Sequence, residues 1–158
     1  MHTYTGTLAL EAPLERVYRF ITAAADVGPC MPDVASVDVK DDTHFQARVR
    51  VGVGPVRGSF DLSAAIVPDR EGKSAALEGR GGGMGSGVDI ASELQLAEVA
   101  PGSTELRWEA RVTISGPLAA LGARLIDGQA KRITAQLFDN IEARIRQLSE
   151  GGPREVEG

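Results

Sequence analysis

GPLAALGARLIDGQAKRITAQLFDNIEARIRQL, residues 116–148, is the stretch whose reading decides the fold. Apolar residues fall at Leu118, Leu121, Leu125 and Ile126, then at Ala130, Ile133, Leu137, Ile141, Ile145 and Leu148. Steps of three and four residues are the period of one face of an α-helix. Pro117 suits the first helical position, where its missing N–H costs nothing. The spacing therefore predicts one helix from Gly116 to Leu148, roughly 45 Å long at about 1.5 Å per residue. A rod of that length with one unbroken apolar stripe needs a broad apolar surface to cover it. Its other face carries Arg124, Lys131, Arg132, Gln136, Asn140 and Arg144. That face reads as solvated, with a basic strip for a membrane surface or an acidic partner as the alternative. Gly122 and Gly128 each cost a helix interior on the order of 1 kcal/mol relative to Ala. A strand or a bound molecule is expected to approach closely at both.

The rest of the chain can supply the missing surface. Tyr4 to Glu11 alternates as a first strand, with Leu8 and Leu10 on one side. Pro13 opens a short helix, Leu14–Ile21, and Asp26 can cap a further brief turn before Gly28-Pro29 and Met31-Pro32. From Phe45 onward the pattern is period two. Phe45, Ala47, Val49, Val51 and Val53 share one side, then Val56, Gly58, Phe60, Leu62, Ala64 and Ile66, and later Leu106, Trp108, Ala110, Val112 and Ile114. Two more strands, Lys73–Arg80 and Met84–Glu98, flank a glycine-rich stretch, and turns are expected at Gly54-Pro55, at 68–72 and at Pro101-Gly102. Strict alternation gives each strand one buried and one wet face. Short turns between consecutive strands imply an antiparallel meander. The predicted fold is α+β: a curved antiparallel sheet of about seven strands wrapped around a long C-terminal helix, with short helices between the first two strands. Residues 1–148 form a single domain, and 149–158, rich in Gly, Pro and Glu, are expected to be a disordered polar tail.

Composition narrows the function by exclusion. A net charge of −5 over 158 residues argues against nucleic acid as a partner. One cysteine, Cys30, allows no internal disulfide and fits a reducing cytoplasm. No secretory signal or membrane-spanning apolar run is present, so a soluble protein is expected. His2 and His44 lie far apart, outside any metal-ligand spacing, and read as solvated. Cys30 has no neighbouring histidine and reads as a structural thiol rather than a nucleophile. No nucleophile elbow occurs. Asp127 is the one acid among apolar helix neighbours. It reads as lining a cavity mouth, or as an ion-pair partner of Arg124 or Lys131.

Gly79-Arg80-Gly81-Gly82-Gly83-Met84-Gly85-Ser86-Gly87 looks at first like a phosphate loop. A phosphate cradle needs a helix N-terminus directly after its glycines, and here Val88-Asp89-Ile90 continues as strand. The inward phase of Ala75 and Leu77 instead carries on through Gly79, Gly81 and Gly83, so the buried face is bare there. The long helix either closes onto that patch or leaves a void above it. A void would be walled by Phe60, Leu62, Leu77, Met84, Val88, Trp108, Leu121, Leu125 and Gly128. Such walls suit a prenyl or acyl chain and leave little for acid–base chemistry. No catalytic or metal-binding set is assigned.

Ala12-Pro13-Leu14-Glu15-Arg16-Val17-Tyr18, after the first strand, resembles the Ala-Pro-x-x-x-Val-aromatic signature of the START-like, helix-grip (SRPBCC) superfamily. Cys30-Met31-Pro32, the run from Val51 to Phe60 and the segment Leu118–Arg132 resemble, more narrowly, the CoxG family of carbon monoxide dehydrogenase subunits. The likeness covers about Tyr4 to Leu148. It implies a non-catalytic carrier of a hydrophobic ligand, an isoprenoid quinone or a lipid, needing no cofactor of its own. By the same resemblance it would serve a molybdenum-containing carbon monoxide dehydrogenase-type oxidoreductase. It would be cytoplasmic, with transient contact at the inner face of the membrane. The rival readings are a small cyclase or hydrolase of the same fold, which needs an inward acid or base pair, and a structural assembly factor with a filled core.

Overall fold

The computed structural model describes residues 1–157 apart from Gly54, Arg70 and Gly72; for Val53, Val56 and 149–157 only the backbone is described. The expectations for Gly54, for part of the 68–72 turn and for a disordered tail fall on residues that lie wholly or partly outside that description.

The chain runs β1 (His2–Leu10), α1 (Leu14–Ile21), α2 (Ala24–Val27), a 3₁₀ turn (Gly28–Cys30), β2 (Val34–Val39), β3 (His44–Val53), β4 (Val56–Pro68), β5 (Ser74–Gly83), β6 (Ser86–Ala100), β7 (Ser103–Ser115), a second 3₁₀ turn (Pro117–Leu121) and α3 (Ala123–Glu157). All seven strands form one antiparallel sheet in the order β1-β7-β6-β5-β4-β3-β2. From β2 to β7 this is the meander that short turns dictate. β1 closes the far edge beside β7, pairing Tyr4 with Ala110 and Leu8 with Leu106. This is the predicted helix grip, with the sheet curved about α3.

The predicted single helix is in fact two pieces. Gly116 (φ 79°, ψ −161°) and Gly122 (φ 90°, ψ 154°) both take backbone shapes outside the range of ordinary L-residues. The chain makes a 3₁₀ turn between them and enters α3 only at Ala123. Within α3, Ile126 is buried while its neighbour Leu125, about 100° round the helix, is 48% exposed. Nothing in the protein lies within 4 Å of where a Cβ would stand on Gly122 or Gly128, so no strand makes the close approach expected there.

The glycine-rich stretch is also more regular than expected. β5 continues through Gly83, and Met84-Gly85 (φ 55° and 77°) form a two-residue hairpin turn into β6. The β7–α3 connection seats on this turn through a buried bond, in which the Leu118 N–H donates to Ser86 Oγ at 2.9 Å.

Packing of the helices and of the second 3₁₀ turn against the sheet produces three apolar clusters. One gathers Leu10, Val17, Phe20, Leu106, Ile141 and Ile145 around α1 and the later turns of α3. Another holds Ala24, Val27, Phe45, Ala47, Ala64 and Ile66 under α2. A small third joins Phe60 to Leu118, with Leu121 against it. Polar ties fix the frame: Thr104 Oγ1 donates to the Ala12 carbonyl at 2.7 Å, and Asn140 Nδ2 donates to the Cys30 carbonyl at 3.0 Å.

Candidate functional site: an apolar cavity under the long helix

Between the three clusters, under α3, lies a cavity of about 310 Å³ whose wall includes members of all three, among them Ile21, Phe45 and Phe60. That is at the lower end of the range of about 300–1,000 Å³ typical of small-molecule sites. The floor is the inward phase of the sheet: Phe60, Leu62 and Ala64 from β4, Leu77 and Gly79 from β5, Val88, Ile90, Ser92 and Leu94 from β6, and Leu106 to Ile114 from β7. The roof is α3, through Ile126, Ala130, Ile133, Leu137 and Ile141. Ile133 is 38% exposed while also facing the hollow, so it stands at an opening.

Of the nine wall residues read from the sequence, Phe60, Leu62, Leu77, Val88 and Trp108 line this cavity. Met84, Leu121, Leu125 and Gly128 do not. Met84 occupies the β5–β6 turn, is 37% exposed and lies against Gly58. Leu121 packs on the Phe60–Leu118 cluster. Leu125 and Gly128 lie within α3 about 100° and 200° round the helix from the inward Ile126, and both are exposed. The wall residues left unnamed, such as Ile90, Val112 and Ile133, carried a usable signal: they continue the inward strand phases and the helical stripe.

The bare patch is partly filled. A Cβ on Gly83 would run into the Ser59 carbonyl oxygen, and one on Gly81 would meet Leu62 and the Asp61 carbonyl at 3.4 Å. Gly79 lines the hollow instead, where a Cβ would make only ordinary contacts, the nearest heavy atom standing at 3.5 Å. Trp108 lies over Gly6, which leaves no space for any Cβ, and its ring tilts against Phe138 at 5.5 Å between centroids.

Chemically the wall is inert. Among the described residues its polar members are Tyr4, Ser92, Gln129 and Thr134, with no carboxylate, amine, guanidinium, histidine or cysteine. The Ser92 hydroxyl is taken up by the Leu77 carbonyl at 3.1 Å. Tyr4 Oη donates to Asp127 Oδ1 at 2.7 Å, and His2 Nδ1 lies 3.5 Å from the same oxygen. Asp127 is not part of the cavity wall; it is tied to β1 rather than to Arg124 or Lys131. Burial first, then the hydrogen bond and the carboxylate charge, push the Tyr4 phenol up to about 12. The neutral phenol is therefore favoured by folding. Its contribution to stability is complete below about pH 10, its unfolded value, and is lost as the pH climbs toward 12. A native-state absorbance titration at 295 nm should contain a phenol ionising near pH 12 that disappears in Tyr4→Phe. An ionisation near 10 in its place would break the Tyr4–Asp127 contact.

Cys30 is buried, its thiol pushed up by burial, and Sγ donates weakly to the Asp26 carbonyl at 3.4 Å. Among the described residues no three His, Cys, Asp or Glu side chains cluster as metal ligands would. Among them, too, no helix is long and apolar enough to cross a membrane.

A model of the carbon monoxide dehydrogenase CoxG family matches residues 6–146. Among curated proteins no sequence matches. Several solved structures share the fold. A conserved protein from Geobacillus kaustophilus superposes with a TM-score of 0.84 at 20% identity, covering 93% of this chain and 97% of its own. A START superfamily protein from Mycobacterium smegmatis gives 0.71 at 14%, covering 94% and 99%. The Zhui aromatase/cyclase from Streptomyces sp. R1128 gives 0.67 at 11%, covering 94% and 95%. Likeness at these identities establishes the fold alone.

Proposed function

Because this chain belongs to the CoxG family of carbon monoxide dehydrogenase subunits, we propose that residues 1–148 form a non-catalytic carrier domain for a hydrophobic molecule, an isoprenoid quinone or a lipid. The observation that carries the reading is the partly open hollow of about 310 Å³ with an almost wholly apolar wall. Its apolar surface can hold a chain or ring by burial, at roughly 25 cal/mol per Å² removed from water. Phe60, Leu62, Leu77, Val88 and Trp108 would contact the ligand from the sheet, and Ile126 to Ile141 from the helix.

A cyclase or hydrolase needs a positioned acid or base poised near the working pH. Among the described wall residues the one ionisable group is a phenol held protonated, which supports carriage over catalysis. Family membership supports a partnership with a molybdenum-containing carbon monoxide dehydrogenase-type oxidoreductase. In this reading the protein works in the cytoplasm and meets the inner face of the membrane transiently, to load or discharge its cargo.

Organic extraction of the purified protein, followed by mass spectrometry, tests the proposal. An apolar molecule recovered at about one per chain is expected. A preparation that yields none, and that takes up none when incubated with quinone or lipid, would favour the filled-core assembly factor.

A further inference from the structure

A second depression, an open cleft of about 490 Å³, lies between the tip of the β3–β4 hairpin and α3. Its surroundings are basic in a protein of net charge −5. Arg50 and Arg57 come from the hairpin and Arg132 from α3, with Asp33 as the single acid among the described lining residues. Strand register explains how the charge accumulates. One rung away, Arg48 faces Asp61 and is paired with it at 2.9 Å. Arg50 faces Ser59, and Arg57 faces Gly52. Arg50 and Arg57 thus share one face of the hairpin as diagonal neighbours, about 7–8 Å apart by ordinary sheet geometry. Neither has a carboxylate partner among the described residues. Arg132 Nη2 lies 3.5 Å from Asp33 Oδ2, so the one acid is already engaged. The cleft keeps an excess of two positive charges over a floor of small residues, and a Cβ on Gly52 would meet nothing within 4 Å.

We infer that this cleft is a recognition site for a phosphate-type oxyanion. Guanidinium forks match the paired oxygens of phosphate, and two unneutralised forks beside an open floor can grip one group from two sides. Val51 lines both the cleft and the apolar cavity, so the two spaces adjoin. The oxyanion is therefore either the headgroup of a lipid whose chain enters the cavity or free phosphate. The headgroup arm rests on the carrier reading; the free-phosphate arm does not.

Displacement of a neutral fluorophore, N-phenyl-1-naphthylamine, by dodecyl phosphate and by 1-dodecanol separates these outcomes, alongside calorimetry with inorganic phosphate at low ionic strength. Each is run on the natural protein and on an Arg50→Gln, Arg57→Gln double variant, whose altered side chains are exposed. A headgroup site makes dodecyl phosphate effective at about tenfold lower concentration than dodecanol, an advantage that disappears in the variant. A free-phosphate site gives calorimetric binding that the variant loses, with no such advantage. Equal displacement by the two amphiphiles with no phosphate heat would overturn the cleft and leave the cavity standing. If the fluorophore never binds, the carrier reading fails, and the phosphate calorimetry alone decides the cleft.

Discussion

Gly79→Leu is expected to leave the protein folded and to weaken binding of an apolar ligand by about tenfold or more. Gly79 is the member of the bare glycine series that faces the hollow, and a Cβ built there makes only ordinary contacts, the nearest at 3.5 Å. A leucine would project into the space proposed for the ligand. A glycine within a strand contributes no packing, so replacing it should change stability by no more than about 1 kcal/mol, in either direction. The binding loss is larger because one misplaced methylene in a tight apolar pocket already changes affinity by about 10–200-fold. Denaturant midpoint and ligand titration, measured on the same sample, separate the two effects. A variant that binds as tightly as its parent would place the ligand elsewhere.

Gly116→Ala should have the largest effect on stability. Gly116 sits at φ 79°, ψ −161°, a region that only glycine populates readily. A Cβ there would collide with the Gly85 carbonyl oxygen and stand 2.8 Å from the Ser86 Cα. Both are backbone atoms of the β5–β6 turn and cannot swing aside as a side-chain tip would. The collision also falls on the turn whose Ser86 hydroxyl accepts from Leu118. Strain and overpacking together predict a loss of about 3 kcal/mol, which for a chain of this size lowers Tm by about 10 °C. Gly122→Ala is the control: its φ of 90° is strained too, but no atom lies within 4 Å of the new methyl group. Equal losses at the two sites would show that the contact with the turn contributes nothing.

These two glycines also mark where sequence reading stopped. Period-two alternation was enough to place the strands, because each has one buried face and a slip of one residue would invert it. The helical stripe from Ile126 to Ile145 was legible for the same kind of reason. The stripe upstream was misleading. Leu118, Leu121 and Leu125 keep helical spacing, yet a positive φ at Gly122 interrupts the helix, and spacing alone does not report φ. Leu125 and Gly128 continue that upstream spacing into α3, where they stand about 100° and 200° round from the inward Ile126. Met84 entered the expected wall because the hairpin turn was placed too early, with strand pairing running on through Gly83. β2 was not read individually: it is a short edge strand with an exposed outer side and no long alternating run. The hollow itself was open in the sequence as one of two outcomes. Whether a helix closes onto bare strand depends on side chains from every neighbouring element, here Trp108, Phe60 and Leu62, which no local pattern links.

Trp108 offers the most direct test of an accessible apolar hollow, since it is the single tryptophan of the chain and stands in the cavity wall. Its emission should be titrated with a short-chain prenylated quinone, in the natural protein and in Gly79→Leu. Saturable quenching at one ligand per chain, weakened by about tenfold or more in the variant, is the predicted result. Linear collisional quenching that is the same in both proteins would mean that the quinone never enters, and the carrier account would fall.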